Sequence, residues 1–166
     1  PCMAGTRWQH DQVTFQFIHP ENHSASINAD DGALRHKANN QSCVLRISSG
    51  DTVVLLTGDI EKTVELALVD NHKALLAATV LVAPHHGSRT SSSWPFVKAV
   101  TPDYVIFSSG YKNQFSHPHR NIASRYHSVG SNALTTSSSG AIEFCLCDGK
   151  LSKPWQARMA MQRYWL

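Results

Sequence analysis

The 166-residue sequence lacks any apolar run long enough to cross a bilayer, and its first residues lack the charged-then-apolar pattern of a signal peptide. Charged residues make up only 16% of the chain, whereas 42% of the residues are hydrophobic, which excludes global disorder. The formal net charge of +3 is too small to indicate nucleic-acid binding by itself. The sequence therefore predicts a soluble single domain over residues 1–166.

Cysteine is scarce, and none of the 4 cysteines lies in a C-x-x-C pair. Four cysteines are too few for a disulfide scaffold in a chain of this length. We therefore expect most of them to be buried thiols. The nucleotide-binding patterns G-x-G-x-x-G and G-x-x-x-x-G-K-[ST] are both absent. A G-x-S-x-G elbow is also absent, so the proximity of Ser88 to His86 is weak support for a serine nucleophile.

Short apolar runs alternate with segments typical of helices, which predicts an α/β fold with helices packed outside a sheet. The predicted strands are residues 12–18, 43–47, 52–57, 79–83, 104–108, 132–135 and 141–147. The predicted helices are residues 60–72, a segment that begins near residues 91–93, and residues 120–129. Residues 21–40 are polar and lack periodicity, which predicts a long loop. The tail, residues 151–166, is rich in aromatic residues, and its pattern does not distinguish a last strand from a short helix.

Three of the predicted strands end in polar clusters. The clusters are Gly58-Asp59, His85-His86-Gly87-Ser88, and Asn113 with His117-x-His119. Because strands hold their ends rigidly, side chains at neighbouring ends can form a metal site or an acid/base site. One carboxylate with several imidazoles suits zinc, manganese or iron.

Each cluster also has a purely structural interpretation. Asp59 precedes a helix and could act as its N-cap. The pair His85-His86 could form a turn with one packed and one solvated ring. The segment His117-Pro118-His119 could simply begin the next helix, with proline in its first turn. The occurrence of all three clusters together favours a functional site.

Four segments of the sequence resemble motifs of the C-terminal metallo-β-lactamase-like domain of ComEC competence proteins. The segments are NNQSCVLRISSGDTVVLLTGDIE, VLVAPHHGSRTSSSWPFVKAVTPDYVIFSSG, YKNQFSHPH and TTSSSGAIEF, and the resemblance spans about residues 8–144. It implies a metallo-β-lactamase-like αββα sandwich with two divalent metal ions, manganese or zinc, in the cleft between the sheets.

The resemblance also implies a function. ComEC proteins are polytopic membrane channels for DNA uptake, and this domain is thought to be a metal-dependent nuclease that degrades the strand that is not imported. The implied partners are DNA and the remainder of the channel protein. The implied location is a soluble domain on the outer face of the cytoplasmic membrane.

Site residues follow from the matching motifs. Asp59 matches an aspartate that bridges two metals. One of His85 and His86 should bind the second metal while the other faces substrate phosphate, and His86 is the favoured ligand. Asn113, His117 and His119 match a segment that contacts the scissile phosphate or protonates its leaving group. Further candidate substrate contacts, whose alternative is an ordinary solvated side chain, are Ser88, Arg89, Lys112 and Arg120.

One departure from the family pattern is serious. The H-x-[HD]-x-D-H run that supplies most metal ligands in the superfamily is absent, and only His10-Asp11 comes close to it. The chain also begins at Pro1 rather than Met. We therefore expect an N-terminally truncated sandwich that binds metal weakly or not at all and is inactive by itself. An exposed sheet face or edge should favour a homodimer.

Two other functions remain open at this point. Because a fold does not fix the substrate, the domain could hydrolyse a small phosphodiester or another ester. Alternatively, it could be a non-catalytic DNA-binding or channel-gating module.

Overall fold

The computed structural model describes residues 2–21, 38–147 and 150–161, and its centre is a sheet of seven strands. The strands lie in the sheet in the order of the sequence. They are β1 (Arg7–His10), β2 (Val13–His19), β3 (Val44–Ser49), β4 (Thr52–Leu56), β5 (Val80–Val82), β6 (Tyr104–Phe107) and β7 (Asn132–Thr135).

The sheet is mixed, and its direction changes at β4. Strands β1 to β4 pair antiparallel, each with its neighbour in the sequence, whereas β4 to β7 pair parallel. The parallel strands are joined by crossovers that contain helices, as parallel pairing requires. The C-terminal ends of β4, β5 and β6 therefore meet at one edge of the sheet.

Three helices cover one face of this sheet. They are α1 (Lys62–His72), α2 (Trp94–Val100) and α3 (Arg120–Ser128). Their apolar side chains form one buried cluster with the side chains that point towards them from the strands. The main members of that cluster are Ile18, Val44, Leu55, Val64, Leu68, Leu81, Phe96, Val97, Val100, Val105, Phe107, Ile122 and Tyr126.

The remaining elements are short. A helical turn, α4 (Thr136–Ser139), follows β7, and α5 (Ala157–Ala160) lies near the end of the described chain. Two small antiparallel sheets accompany them. Their strands are β8 (Ile142–Glu143), β9 (Leu146–Cys147), β10 (Lys150–Leu151) and β11 (Trp155–Gln156). Within the described ranges, no helix has the length and apolar character needed to cross a membrane.

The α/β class is confirmed, since the described residues form a seven-stranded sheet with a layer of helices and two small accessory sheets. Most predicted elements are found within two residues of their predicted ends. The main differences are strand β1, which the polar segment Arg7–His10 did not indicate, and the predicted strand 141–147, which is split into β8 and β9. Of the predicted loop 21–40, residues 22–37 lie outside the described residues, and Ala38–Gln41 is a 3-10 turn.

The prediction of free thiols is wrong. Cys2 and Cys43 form a disulfide with Cα atoms 6.0 Å apart, a normal separation for such a bond. The pairing of β2 with β3 brings the N-terminus beside the start of β3, since the Ala4 amide donates to the Pro20 carbonyl at 2.8 Å. The two cysteines are 41 residues apart in the sequence, so no local pattern predicts this disulfide. Cys145 is also disulfide-bonded.

Candidate functional site

The first loop of the site follows β4 and contains Gly58 and Asp59. Gly58 has a φ of 55°, and a Cβ atom there would lie 2.8 Å from the Cβ of Ser42. A glycine is therefore required both by the backbone conformation and by the close approach of Ser42. The Ser42 Oγ accepts a hydrogen bond from the Asp59 amide at 3.1 Å, which fixes the backbone of the aspartate.

The second loop follows β5 and is the tight turn Pro84–Gly87. His85 (φ 47°, ψ 42°) and His86 (φ 56°, ψ 17°) both adopt the left-handed conformation. This conformation costs a residue with a side chain about 1–2 kcal/mol, so the surrounding structure must hold it in place. One restraint is the hydrogen bond from the His85 amide to the Gly58 carbonyl, at 3.0 Å, which joins the first two loops.

The third loop follows β6 and presents His117. The side chain of Asn113 binds the backbone of His117 twice, accepting from its amide and donating to its carbonyl, both at 2.8 Å. The amide of His119 donates to the Gly87 carbonyl at 3.0 Å, which joins this loop to the second. Both polar atoms of Asn113 are thus occupied in positioning His117.

These loops bring together Asp59 and the histidine cluster, which we define as His85, His86 and His117. The Nε2 atom of His86 lies 3.3 Å from Oδ1 of Asp59, and the two side chains are 46% and 43% exposed. The ring of His117 lies 6.4 Å from that of His86 and 6.1 Å from that of His85, measured between centroids. The aspartate and the cluster are therefore accessible to a ligand from solvent.

The surroundings of His117 lower its pKa. Burial is the main cause that lowers its pKa, and the neighbouring imidazoles lower the pKa further when they are charged. Its ring also stacks on Phe115, with centroids 5.6 Å apart.

His85 faces a different set of partners from His86. Its Nδ1 lies 3.2 Å from the Thr90 hydroxyl and 3.8 Å from a carboxylate oxygen of Glu61. Its Nε2 lies 3.4 Å from the Asn39 side-chain nitrogen. Because both ring nitrogens of His85 have neighbours of their own, His86 is the ring of the pair that contacts Asp59.

A cavity of about 260 Å³ opens between the second and third loops. We call it the histidine cavity. Its lining residues are His86, Ser108, Ser109, Gly110, Asn113, Phe115 and His117. Two imidazoles therefore face one concave space with an aromatic wall, an arrangement that suits a ligand with both polar and planar parts.

The donor atoms at this edge suit a divalent metal, but they are few. Asp59 and His86 are close enough to bind one ion together, and carboxylate with imidazole is a common pair of ligands for zinc and manganese. In the part of the chain that the structure describes, no group of three or more acidic, histidine or cysteine side chains could hold a metal ion. The described residues thus fit part of a metal coordination shell.

The other candidate substrate contacts lie apart from one another. The Ser88 hydroxyl is nearly buried and lies 3.2 Å from that of Thr90. The Lys112 ammonium lies over the ring of Tyr111, 5.3 Å from its centroid. Arg120 is exposed at the first position of α3. Arg89 and His119 line a second cavity, which is described below.

Several residues that support the site were not identified from the sequence. Asn40 is buried, and its side chain accepts from the Glu61 amide at 3.2 Å. Glu65 of α1 is fully buried, and its carboxylate accepts from the backbone amides of Ser92 and Ser93. The sequence could have indicated Glu65, because it is a charged residue on the face of an amphipathic helix that should be buried. No comparable signal marks Asn40, because asparagine is common in turns.

Comparison with known proteins finds relatives among the competence proteins. No established family model matches the sequence. Competence protein ComA of Neisseria gonorrhoeae is 42% identical over 146 residues, which is 88% of this chain and 20% of the relative. ComE operon protein 3 of Bacillus subtilis is 33% identical over 122 residues, which is 74% of this chain and 15% of the relative. The chain thus spans a fifth or less of the length of these relatives.

A solved structure is also similar. The metallo-β-lactamase fold protein YhfI from Bacillus subtilis matches with a TM-score of 0.39 and 12% identity, covering 78% of this chain and 49% of YhfI. The sequence relatives confirm the resemblance that the motifs indicated: the chain is a homologue of one segment of the ComEC-type competence proteins.

Proposed function

We propose that this chain forms part of a metal-dependent phosphodiester hydrolase that acts on DNA during uptake. The observation that supports the proposal is the contact between Asp59 and His86, 3.3 Å apart, beside the ring of His117. A carboxylate and imidazoles gathered at the carboxyl edge of parallel strands are suited to metal-assisted hydrolysis. The names of the relatives, which refer to competence, favour DNA over other phosphodiesters.

Each residue of the cluster has a proposed role. Asp59 and His86 would hold a divalent metal, which supplies an activated water and neutralises charge that develops on the phosphate. His117 faces the histidine cavity and would contact the scissile phosphate there. His85 would lie on the substrate side and, if a second ion binds, could contribute to it. Asn113 holds the backbone of His117, so its proposed role is to position that histidine.

The proposal has a cellular part that rests on the relatives. The strand hydrolysed would be the one that is not imported, and the domain would lie on the outer face of the cytoplasmic membrane as part of a DNA channel. The other partner would be the remainder of that channel protein.

The test is cleavage of DNA by the full protein that carries this sequence. Purified protein is supplied with Mn²⁺ or Zn²⁺ and given plasmid or linear DNA, and metal binding is followed by calorimetry in parallel. Asp59→Asn should abolish cleavage and weaken metal binding, because it removes the carboxylate that contacts His86. Asp51→Asn is the matched control, since Asp51 is an exposed aspartate just before β4, whereas Asp59 follows the end of that strand.

The alternatives give different results. Hydrolysis of a chromogenic phosphodiester without cleavage of DNA would replace the proposal with a small-ester hydrolase. Binding of DNA that Asp59→Asn leaves intact, with no hydrolysis of either substrate, would indicate a non-catalytic module.

A further inference from the structure

A second cavity, of about 310 Å³, has a cationic lining. We call it the arginine cavity. Its lining residues are Arg89, His119, Asn121, Ile122 and Arg125. The lining includes two guanidinium groups, an imidazole and an amide but no carboxylate. Because the lining is cationic, the cavity favours an anion, and the planar donors of its guanidinium groups suit phosphate oxygens.

The arginine cavity is built on the same two loops as the histidine cavity. Arg89 follows the turn that presents His86, and His119 lies two residues beyond His117. Two residues of extended chain span at most about 7 Å. The hydrogen bond from the His119 amide to the Gly87 carbonyl also holds the two loops together at this point. The two cavities are therefore neighbours along one line of the surface.

The two arginines differ in how firmly they are held. Arg89 is exposed, and within the described residues no acidic side chain lies at ion-pair distance from it. Arg125 is half-buried, and its Nη1 donates to the Ser92 carbonyl at 2.7 Å. Arginine has five N–H donors, so Arg125 keeps donors for a ligand while its position is fixed. The carboxylate of the buried Glu65 is nearby but is already bonded to two backbone amides.

We propose that the arginine cavity binds a backbone phosphate of the DNA strand next to the phosphate held in the histidine cavity. This inference rests on the proposed function and adds the direction that the strand takes across the surface. It assigns Arg125, which the sequence did not indicate, together with Arg89 and His119. It leaves out Lys112, whose cation lies over Tyr111, and Arg120, which does not line the cavity.

The experiment measures binding of fluorescent oligothymidylate to the full chain in EDTA, over a series of salt concentrations. Arg89→Gln should weaken binding about tenfold at low salt, and it should reduce the slope of log K against log salt by about 0.7. Arg158→Gln is the matched control, because it removes the same charge from an exposed residue of α5 that does not line the cavity. Arg125→Gln should behave like Arg89→Gln. Because Arg89 is exposed, its variant remains informative if Arg125→Gln fails to fold.

Three outcomes would overturn the inference. The first is an equal loss of binding with Arg89→Gln and Arg158→Gln, and the second is no strand binding by the unmodified chain. The third is competition by inorganic phosphate that equals, per phosphate group, the competition by unlabelled oligonucleotide. The last result would assign the cavity to free phosphate. If Arg89-dependent binding is found but the full protein does not cleave DNA, the subsite stands and the proposed hydrolysis fails.

Discussion

Gly87 is the residue at which the second loop of the site packs against Phe107 of β6 and Pro118 of the third loop. It has a φ of 82°, and a Cβ atom there would lie 2.7 Å from Cδ1 of Phe107 and 2.8 Å from Cβ of Pro118. Any side chain at this position would therefore separate the histidine turn from the loop that presents His117.

We predict that Gly87→Ala destabilises the protein more than a positive φ alone would. The left-handed conformation should cost alanine about 1–2 kcal/mol, and the overlap with Phe107 and Pro118 should add about 1–3 kcal/mol. Gly130→Ala is the control, because Gly130 has a φ of 86° but no atom within 4 Å of the added Cβ. Denaturant unfolding of both variants measures the difference. Equal losses would mean that the packing around Gly87 relaxes without cost.

At the residue scale, the sequence identified the polar side chains that the loops bring together but not the residues that hold those loops. Asp59, His86 and His117 stand out in the sequence because each follows a strand and belongs to a polar motif. That Asn113 contacts substrate stays a prediction, and the structure adds that its side chain binds the backbone of His117. Such a role depends on which way an amide points within a loop, and the sequence alone does not determine that direction.

Glu65 acts at the scale of whole elements, because it ties α1 to the loop before α2. Its carboxylate binds the Ser92 and Ser93 amides, and Ser92 in turn binds α3 through the Arg125 side chain and the Tyr126 hydroxyl, the latter at 3.0 Å. Burial raises the pKa of Glu65 above its usual value of 4.5, although the hydrogen bonds from the serine amides oppose this rise.

We predict that Glu65 makes the protein less stable as the pH rises above about 4.5. The folded state holds the proton more tightly than the unfolded state does, so raising the pH through this range favours unfolding. Glu65→Gln lacks this dependence, because its neutral amide resembles the protonated carboxyl and does not titrate. The unfolding free energies of the native protein and the variant should therefore be most alike at acid pH, and that of the native protein should fall relative to the variant as the pH rises.

The control for this prediction is Glu143→Gln, which changes an exposed glutamate. The difference in unfolding free energy between this variant and the native protein serves as the reference for the effect of Glu65→Gln. A gap between the native protein and Glu65→Gln that stays constant from acid to neutral pH would contradict the raised pKa.

At the element scale, periodicity identified the strands and helices that have a buried face. The run at β4 and the segments at α1 and α3 are examples, and each lies within two residues of its predicted ends. Strand β1 was missed because all of its residues are exposed, so no alternation between apolar and polar positions marks it. Tertiary pairing with β2 determines its conformation.

At the scale of the whole molecule, helices cover one face of the sheet, and in the described part of the chain the other, which we call the open face, is covered less completely. Leu55, Leu81 and Val105 point into the helix layer and are fully buried. The side chains that alternate with them point to the other face, and most are only half-buried. The apolar members of this face are Phe15, Phe17, Leu45, Ile47, Val54, Leu56, Val82 and Ile106. The strands were recognised from the sequence, but their order, which joins these residues into one patch, was not.

We predict that the chain forms a homodimer through this open face. An apolar patch of this kind favours association, and the exposed edge strand β1 allows antiparallel pairing with a second copy about a two-fold axis. The double variant Phe15→Thr/Ile47→Thr changes a cross-strand pair on the open face and should shift the dimer towards monomer. Met159→Thr is the control, because it removes an exposed apolar side chain away from the sheet. Sedimentation velocity over a range of concentrations measures all three proteins. A native chain that stays monomeric throughout would contradict the prediction, as would equal shifts in both variants.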